Sequence, residues 1–135
     1  MKKRDFQKTA WMQSLMRGEH PTDNALREHL LSVHKYHPGF SVSCSSKCRD
    51  DLGRNSYESL ASLIDPDCHS HILDLACGSG ALLAVCRQRC GPNTELSGVD
   101  MSAEELMLAR RRNSDAGANL YEGLAQDLFF IDDDF

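Results

Sequence analysis

His71-Ile-Leu-Asp-Leu-Ala-Cys-Gly-Ser-Gly-Ala81 is the stretch on which the fold turns. Its apolar run, broken by one carboxylate, reads as a strand buried on both faces, and the small-residue turn after it opens into the helical pattern "ALLAVCRQRC". Downstream the same grammar repeats. "ELSGVD" (95–100) is a second short strand. Ser102 with Glu105 forms the capping box of a helix "AEELMLARRR", whose closing arginines suit the negative end of its dipole, and "NLYEG" (119–123) is a third strand. Strand, helix, strand, helix, strand is the mononucleotide-binding half of a doubly wound parallel sheet. The fold class expected is therefore α/β, a three-layer Rossmann-like sheet with right-handed crossovers.

The turn at the end of the first strand has its own chemistry. Ala76, Gly78, Ser79 and Gly80 let a ligand approach the backbone, and the free N–H groups of the next helix favour an anionic group. A nicotinamide dinucleotide fingerprint would want a third glycine where Leu83 stands, and no acid just before the turn. Asp74 would repel a pyrophosphate and attract an ammonium group instead. Asp100 ends the second strand, where a carboxylate accepts hydrogen bonds from ribose hydroxyls. A ligand carrying both an amino acid and an adenosine satisfies the two sites.

These residues resemble the class I S-adenosylmethionine-dependent methyltransferases. "LDLACGSG" is similar to the first motif of that family, "SGVDMS" to its ribose-binding motif and "EGLAQDLFFIDDDF" to its adenine-side motif; the resemblance covers residues 53–135. It implies S-adenosylmethionine as cofactor and a small-molecule acceptor. It also implies roles for Asp74 at the methionine ammonium, Ala76, Cys77, Gly78 and Gly80 in the turn, Asp100 at the ribose and Met101 on one face of the adenine. Where many relatives carry an acid facing the adenine amino group this chain has Leu124, and Phe129 replaces a usual proline, so the adenine edge falls to Ala125 and Gln126. No catalytic residue is identified.

Ahead of the sheet the sequence is helical. Phe6, Ala10, Trp11, Leu15 and Met16 are helically spaced; a second helix, capped by Thr22 or Asp23, runs to the break at Pro38-Gly39. "SVSCSSKCRDD" reads as a polar loop. "RNSYESLASLID" reads as a third helix, capped at Asn55 or Ser56, with Tyr57, Leu60, Leu63 and Ile64 as its buried stripe and Pro66 as its stop. Two domains follow: residues 1–52, a helical extension covering the pocket mouth or the sheet edge, and 53–135, a partial cofactor-binding domain. Arg54 and Tyr57 lie where relatives close the pocket. His34, His37, Cys44 and Cys48 have spacings that zinc could use, but depart from the common paired pattern, and the acidic run Asp132–Asp134 reads as a solvated loop, so no metal is assigned.

The 135 residues, 41% of them apolar and 26% charged, are those of an ordinary globular domain of net charge −5. The basic start "MKKRDFQK" includes Asp5 and lacks interleaved aromatics, which argues against nucleic-acid binding. No apolar run is long enough for a secretory signal or a membrane span, so the expected setting is the cytoplasm with six reduced cysteines. In the family's sheet order the first strand is central, yet the sequence stops at Phe135 before a fourth strand. The first strand's open edge is then available for self-association or for a partner chain.

Overall fold

The computed structural model describes residues 8–45, 47–115 and 117–128. Helix α1 (Ala10–Met16) starts at Thr9, whose hydroxyl accepts the Met12 N–H, and Phe6 lies outside the described residues. Helix α2 (Asp23–Tyr36) is capped by Thr22 through the Ala25 N–H at 3.2 Å, and the chain leaves it at His37, ahead of Pro38. Thr9 meets His29 at 2.9 Å and Trp11 stacks on the same imidazole, joining α1 to α2. None of the residues in α1 or α2 is fully buried.

The segment expected as a polar loop contains helix α3 (Phe40–Ser45). Two of its serines bond back to their own helix, Ser43 donating to the Phe40 carbonyl and Ser45 to that of Ser41, which satisfies both hydroxyls. Helix α4 (Ser56–Ala61) begins with a full capping box between Asn55 and Glu58. It ends at Ala61, well before Pro66, and the buried stripe differs from the expected one. Tyr57 and Ala61 share its inner face, with Ala61 fully buried, and Ile64 in the segment after the helix packs on the core, while Leu60 and Leu63 are 51% and 80% exposed. The reason is geometric: i and i+4 lie on one side of a helix, and small Ala61 lets α4 approach its neighbour closely.

Three parallel strands, β1 (His71–Leu75), β2 (Glu95–Asp100) and β3 (Asn119–Glu122), pair in the order β1-β2-β3. Helix α5 (Ala81–Cys90) crosses from β1 to β2, and α6 (Ala103–Arg112) from β2 to β3. The register sets Asp74 opposite Gly98 and Asp100 opposite Glu122. This is the Rossmann-like α/β fold. As expected, β1 lies at the sheet edge among the described residues; the expectation that it is buried is corrected, since its ends are exposed and Leu75 is 44% accessible, whereas β2 is buried from Leu96 to Asp100. No described helix is long and apolar enough to cross a membrane.

The core gathers Leu83 and Cys86 of α5, Leu96 of β2, Leu106 of α6, Cys77 and Ala61. Gly98 is a tight point of this core. A Cβ there would lie 2.8 Å from Leu83 Cδ1 and 2.9 Å from Cys77 Sγ. Gly98→Ala is therefore expected to lower stability by about 1–3 kcal/mol through overpacking, read as a lower urea midpoint with an unchanged slope.

Candidate functional site

Three turns meet at the carboxyl ends of the strands: residues 76–80 after β1, 100–102 after β2, and 123–127 after β3. Asp100, buried at 8% exposure, ties the first two together. Its Oδ2 accepts the Gly78 N–H at 2.8 Å and its Oδ1 accepts the Ser102 N–H at 2.8 Å. Each carboxylate oxygen keeps a further acceptor direction. The Asp100 carbonyl receives the Gly123 N–H, which brings in the third turn, and a bridge between Leu124 and Asp127 holds Ala125 and Gln126 at its tip.

Between these turns and α2 lies a cavity of about 670 Å³. Six of the residues expected at the cofactor line it: Ala76, Gly78, Asp100, Met101, Ala125 and Gln126. Gly78 sits at φ +51°, and a Cβ there would meet only Glu105 Oε2 at 3.8 Å, so the cavity side of the turn stays open. Ala76, at φ +59°, holds a left-handed conformation that costs an alanine about 1 kcal/mol.

Cys77 and Gly80 do not line the cavity. The Cys77 side chain is in the core under Gly98, and Gly80 is small because any side chain would strike Asn113 and Ala109 of α6. Asp74 does not line it either; it sits half-buried one residue before the end of β1, and its carboxylate has no hydrogen-bond donor among the described residues. Arg54 and Tyr57 are also absent from the lining, Arg54 being paired with Asp50 at 2.8 Å. The opposite wall comes from α2 and α3, through Asp23, Leu26, Arg27, Leu30, His34 and Ser41.

Several residues that hold the site were not signalled by motif. Arg112 donates to the Ser79 carbonyl and hydroxyl at 2.9 and 2.7 Å, and the Asn113 amide to the Gly80 carbonyl at 3.0 Å, so the end of α6 clamps the glycine turn. Glu105 corrects the expected capping box. Its N–H does bond to Ser102 Oγ, but its carboxylate takes the His34 Nδ1 at 2.9 Å and the Gly39 N–H at 2.6 Å. His34 is thereby engaged, and among the described residues no three His, Cys, Asp or Glu side chains gather at metal-binding distance. Asp132–Asp134 and Phe129 lie outside the described residues.

Electrostatics separate the two acids. Burial, and secondarily the charge of Asp100, pushes the Asp74 carboxyl up to about 6. A nearby cation would reverse that. Burial also pushes the Cys77 thiol up to about 12, which leaves it protonated and removes it as a nucleophile.

Residues 72–135 match a family model described as a methyltransferase domain. A chloroplastic 2-phytyl-1,4-beta-naphthoquinone methyltransferase of Arabidopsis thaliana is 37% identical over 71 residues, which are 48% of this chain and 27% of that protein. Among solved structures, S-adenosylmethionine-bound CalS10, an amino pentose methyltransferase of Micromonospora echinaspora, aligns at 24% identity and a TM-score of 0.47, over 58% of this chain and 34% of its own. A methyltransferase of Thiobacillus denitrificans in complex with S-adenosylhomocysteine aligns at 22% identity and a TM-score of 0.41, over 50% of this chain and 28% of its own. The chain thus spans about a third of the length of these relatives, or less.

Asp74 gives a test of the site without ligand. Its folded-state pKa is raised, so ionisation of Asp74 costs stability, and the cost grows as pH rises from about 4 to about 6. Asp74→Asn is expected to stabilise the ligand-free chain by on the order of 2 kcal/mol at pH 7.5. The gain should shrink as pH falls through that window, as followed by thermal unfolding across pH.

Proposed function

We propose, from the premise that residues 72–135 belong to the class I S-adenosylmethionine-dependent methyltransferases, that the cavity binds S-adenosylmethionine and that this chain forms the cofactor-binding half of an enzyme methylating a small molecule. The observation that carries this reading is the buried Asp100 carboxylate, which ends β2 and lines the cavity together with Gly78 and Met101. Asp100 is braced by two backbone amides, and the carboxylate of Asp74, set behind the cavity lining, has no hydrogen-bond donor among the described residues. A half-buried acid without a donor suits a ligand ammonium.

The cofactor, when bound, supplies an electrophilic methyl group on a sulfonium centre. The chain's contribution is to bind and orient. Asp74 takes the ammonium, and Asp100 offers its remaining acceptor directions to the ribose hydroxyls. Gly78 gives the backbone room, Met101 covers the adenine, and the tip at Ala125 and Gln126 meets its edge. Arg27, the one arginine or lysine among the described lining residues, is assigned the cofactor carboxylate. Helices α2 and α3 serve as the cover, which excludes water from the charged end of the ligand.

The same reading takes the cytoplasm as its setting, where the exposed thiols of Cys44, Cys48 and Cys68 stay reduced. It also expects a further strand beside β1, from this polypeptide or a partner, in keeping with the exposure of Leu75 and Leu63.

Calorimetric titration of the 135-residue chain at pH 7.5 with S-adenosylmethionine, S-adenosylhomocysteine and NADH tests the proposal. The first two should bind and NADH should not, and Asp100→Ala should weaken them at least about tenfold. Affinity should decline as pH falls through about 6, where Asp74 takes up a proton, and Asp74→Asn should flatten that decline. Binding of NADH alone would reject the assignment.

A further inference from the structure

Helix α2 forms one wall of the cavity, yet none of its residues is fully buried. Leu26 and Leu30, one helical turn apart, are 38% and 37% exposed and face the cavity rather than a core. A helix covering a site with so little apolar burial needs another attachment. Its polar attachment to α6 is Glu105, which is 2% exposed at the first turn of that helix. Its carboxylate receives His34 from the last turn of α2 and the Gly39 amide from the left-handed turn that follows, at φ +75°. A carboxylate accepts only, so the imidazole carries its proton on Nδ1. Leu108 lies beneath Gly39 and completes the seat of the turn on α6.

We propose that Glu105 and His34 are positioning residues forming the latch that holds α2 across the cofactor cavity, and that a bound ligand tightens the cover by giving Leu26 and Leu30 the apolar contact they lack. Glu105 satisfies its buried charge only when the α2–α3 turn is docked. Undocking leaves that charge without two of its donors, whereas the Ser102 cap on the Glu105 N–H is untouched. The latch therefore acts on the cover and leaves the sheet alone. Ligand and latch favour the same docked state, so each raises the occupancy of the other.

The inference rests on the cofactor reading for what fills the cavity, and the latch is tested first without ligand. Amide hydrogen exchange of the 135-residue chain is followed in α2, α3 and Gly39, with β2 as internal reference, in the original sequence, His34→Leu, Glu105→Leu, the double variant and His34→Asn. The cover should exchange about tenfold faster in both single variants, with β2 unchanged and the double variant no faster than either single one. His34→Asn, which returns a donor near the Nδ1 position, should restore protection. Cover exchange unaltered by His34→Leu, or acceleration spread equally to β2, would overturn the latch.

S-adenosylhomocysteine is then added. Slower exchange in α2 and about tenfold weaker binding by Glu105→Leu, whose side chain is outside the cavity lining, support the coupling. Binding without any protection of α2 overturns it. If the original chain binds no S-adenosylhomocysteine while the latch variants still release α2, the cofactor reading and the coupling fall and the latch stands.

Discussion

The architecture depends on where the Asp100 carboxylate finds its donors. A buried charge must be met by hydrogen bonds, and Asp100 meets this by drawing in one amide from the turn after β1 and one from the turn after β2. Charge-assisted bonds of this kind contribute about 1.5–3 kcal/mol each. Their arrangement matters more than their sum. Pinning Gly78 fixes the path of the glycine turn, and pinning Ser102 N–H leaves Ser102 Oγ free to cap α6. The Asp100 carbonyl holds Gly123, so one residue organises the ends of all three strands.

Much of the α/β part was legible in the sequence because its signals are local. The switch from strand to helix at Gly80-Ala81, the Ser102 cap and the arginines closing α6 coincide with the observed elements. What was misread depended on neighbours. The open edge of β1 was expected, but the apolar residues of β1 cannot say what covers its faces, so a strand read as buried on both faces is only partly buried, with exposed ends. The spacing of Ser102 and Glu105 is compatible with two fates for the glutamate. Only the arrival of His34 and Gly39, 71 and 66 residues away in sequence, decides between them. At the site, the cavity-lining residues were legible through the turn motifs, while the α2 wall and the clamp from Arg112 and Asn113 carry no motif of their own.

Leu83 and Gly98 show how one packing problem has two solutions. A dinucleotide fingerprint brings helix and strand together with a glycine on the helix. Here the helix keeps a large side chain, Leu83, and the glycine is on the facing strand at 98. The close approach survives with the sizes exchanged. Gly80 is retained for a different neighbour, the end of α6. The small residues of the turn thus serve different surfaces, and only Gly78 and Ala76 face the cavity.

The clamp from α6 turns that helix into a ruler. Ser102 sets its first residue, and Arg112 and Asn113 grip the glycine turn at its far end, so the number of residues between them is a structural quantity. Each residue advances an α-helix by about 100° and 1.5 Å. An insertion or deletion of one residue within α6 would swing both gripping side chains away from Ser79 and Gly80, even with every cavity residue kept. Chimeras that graft this glycine turn onto another sheet must carry the length of α6 with it.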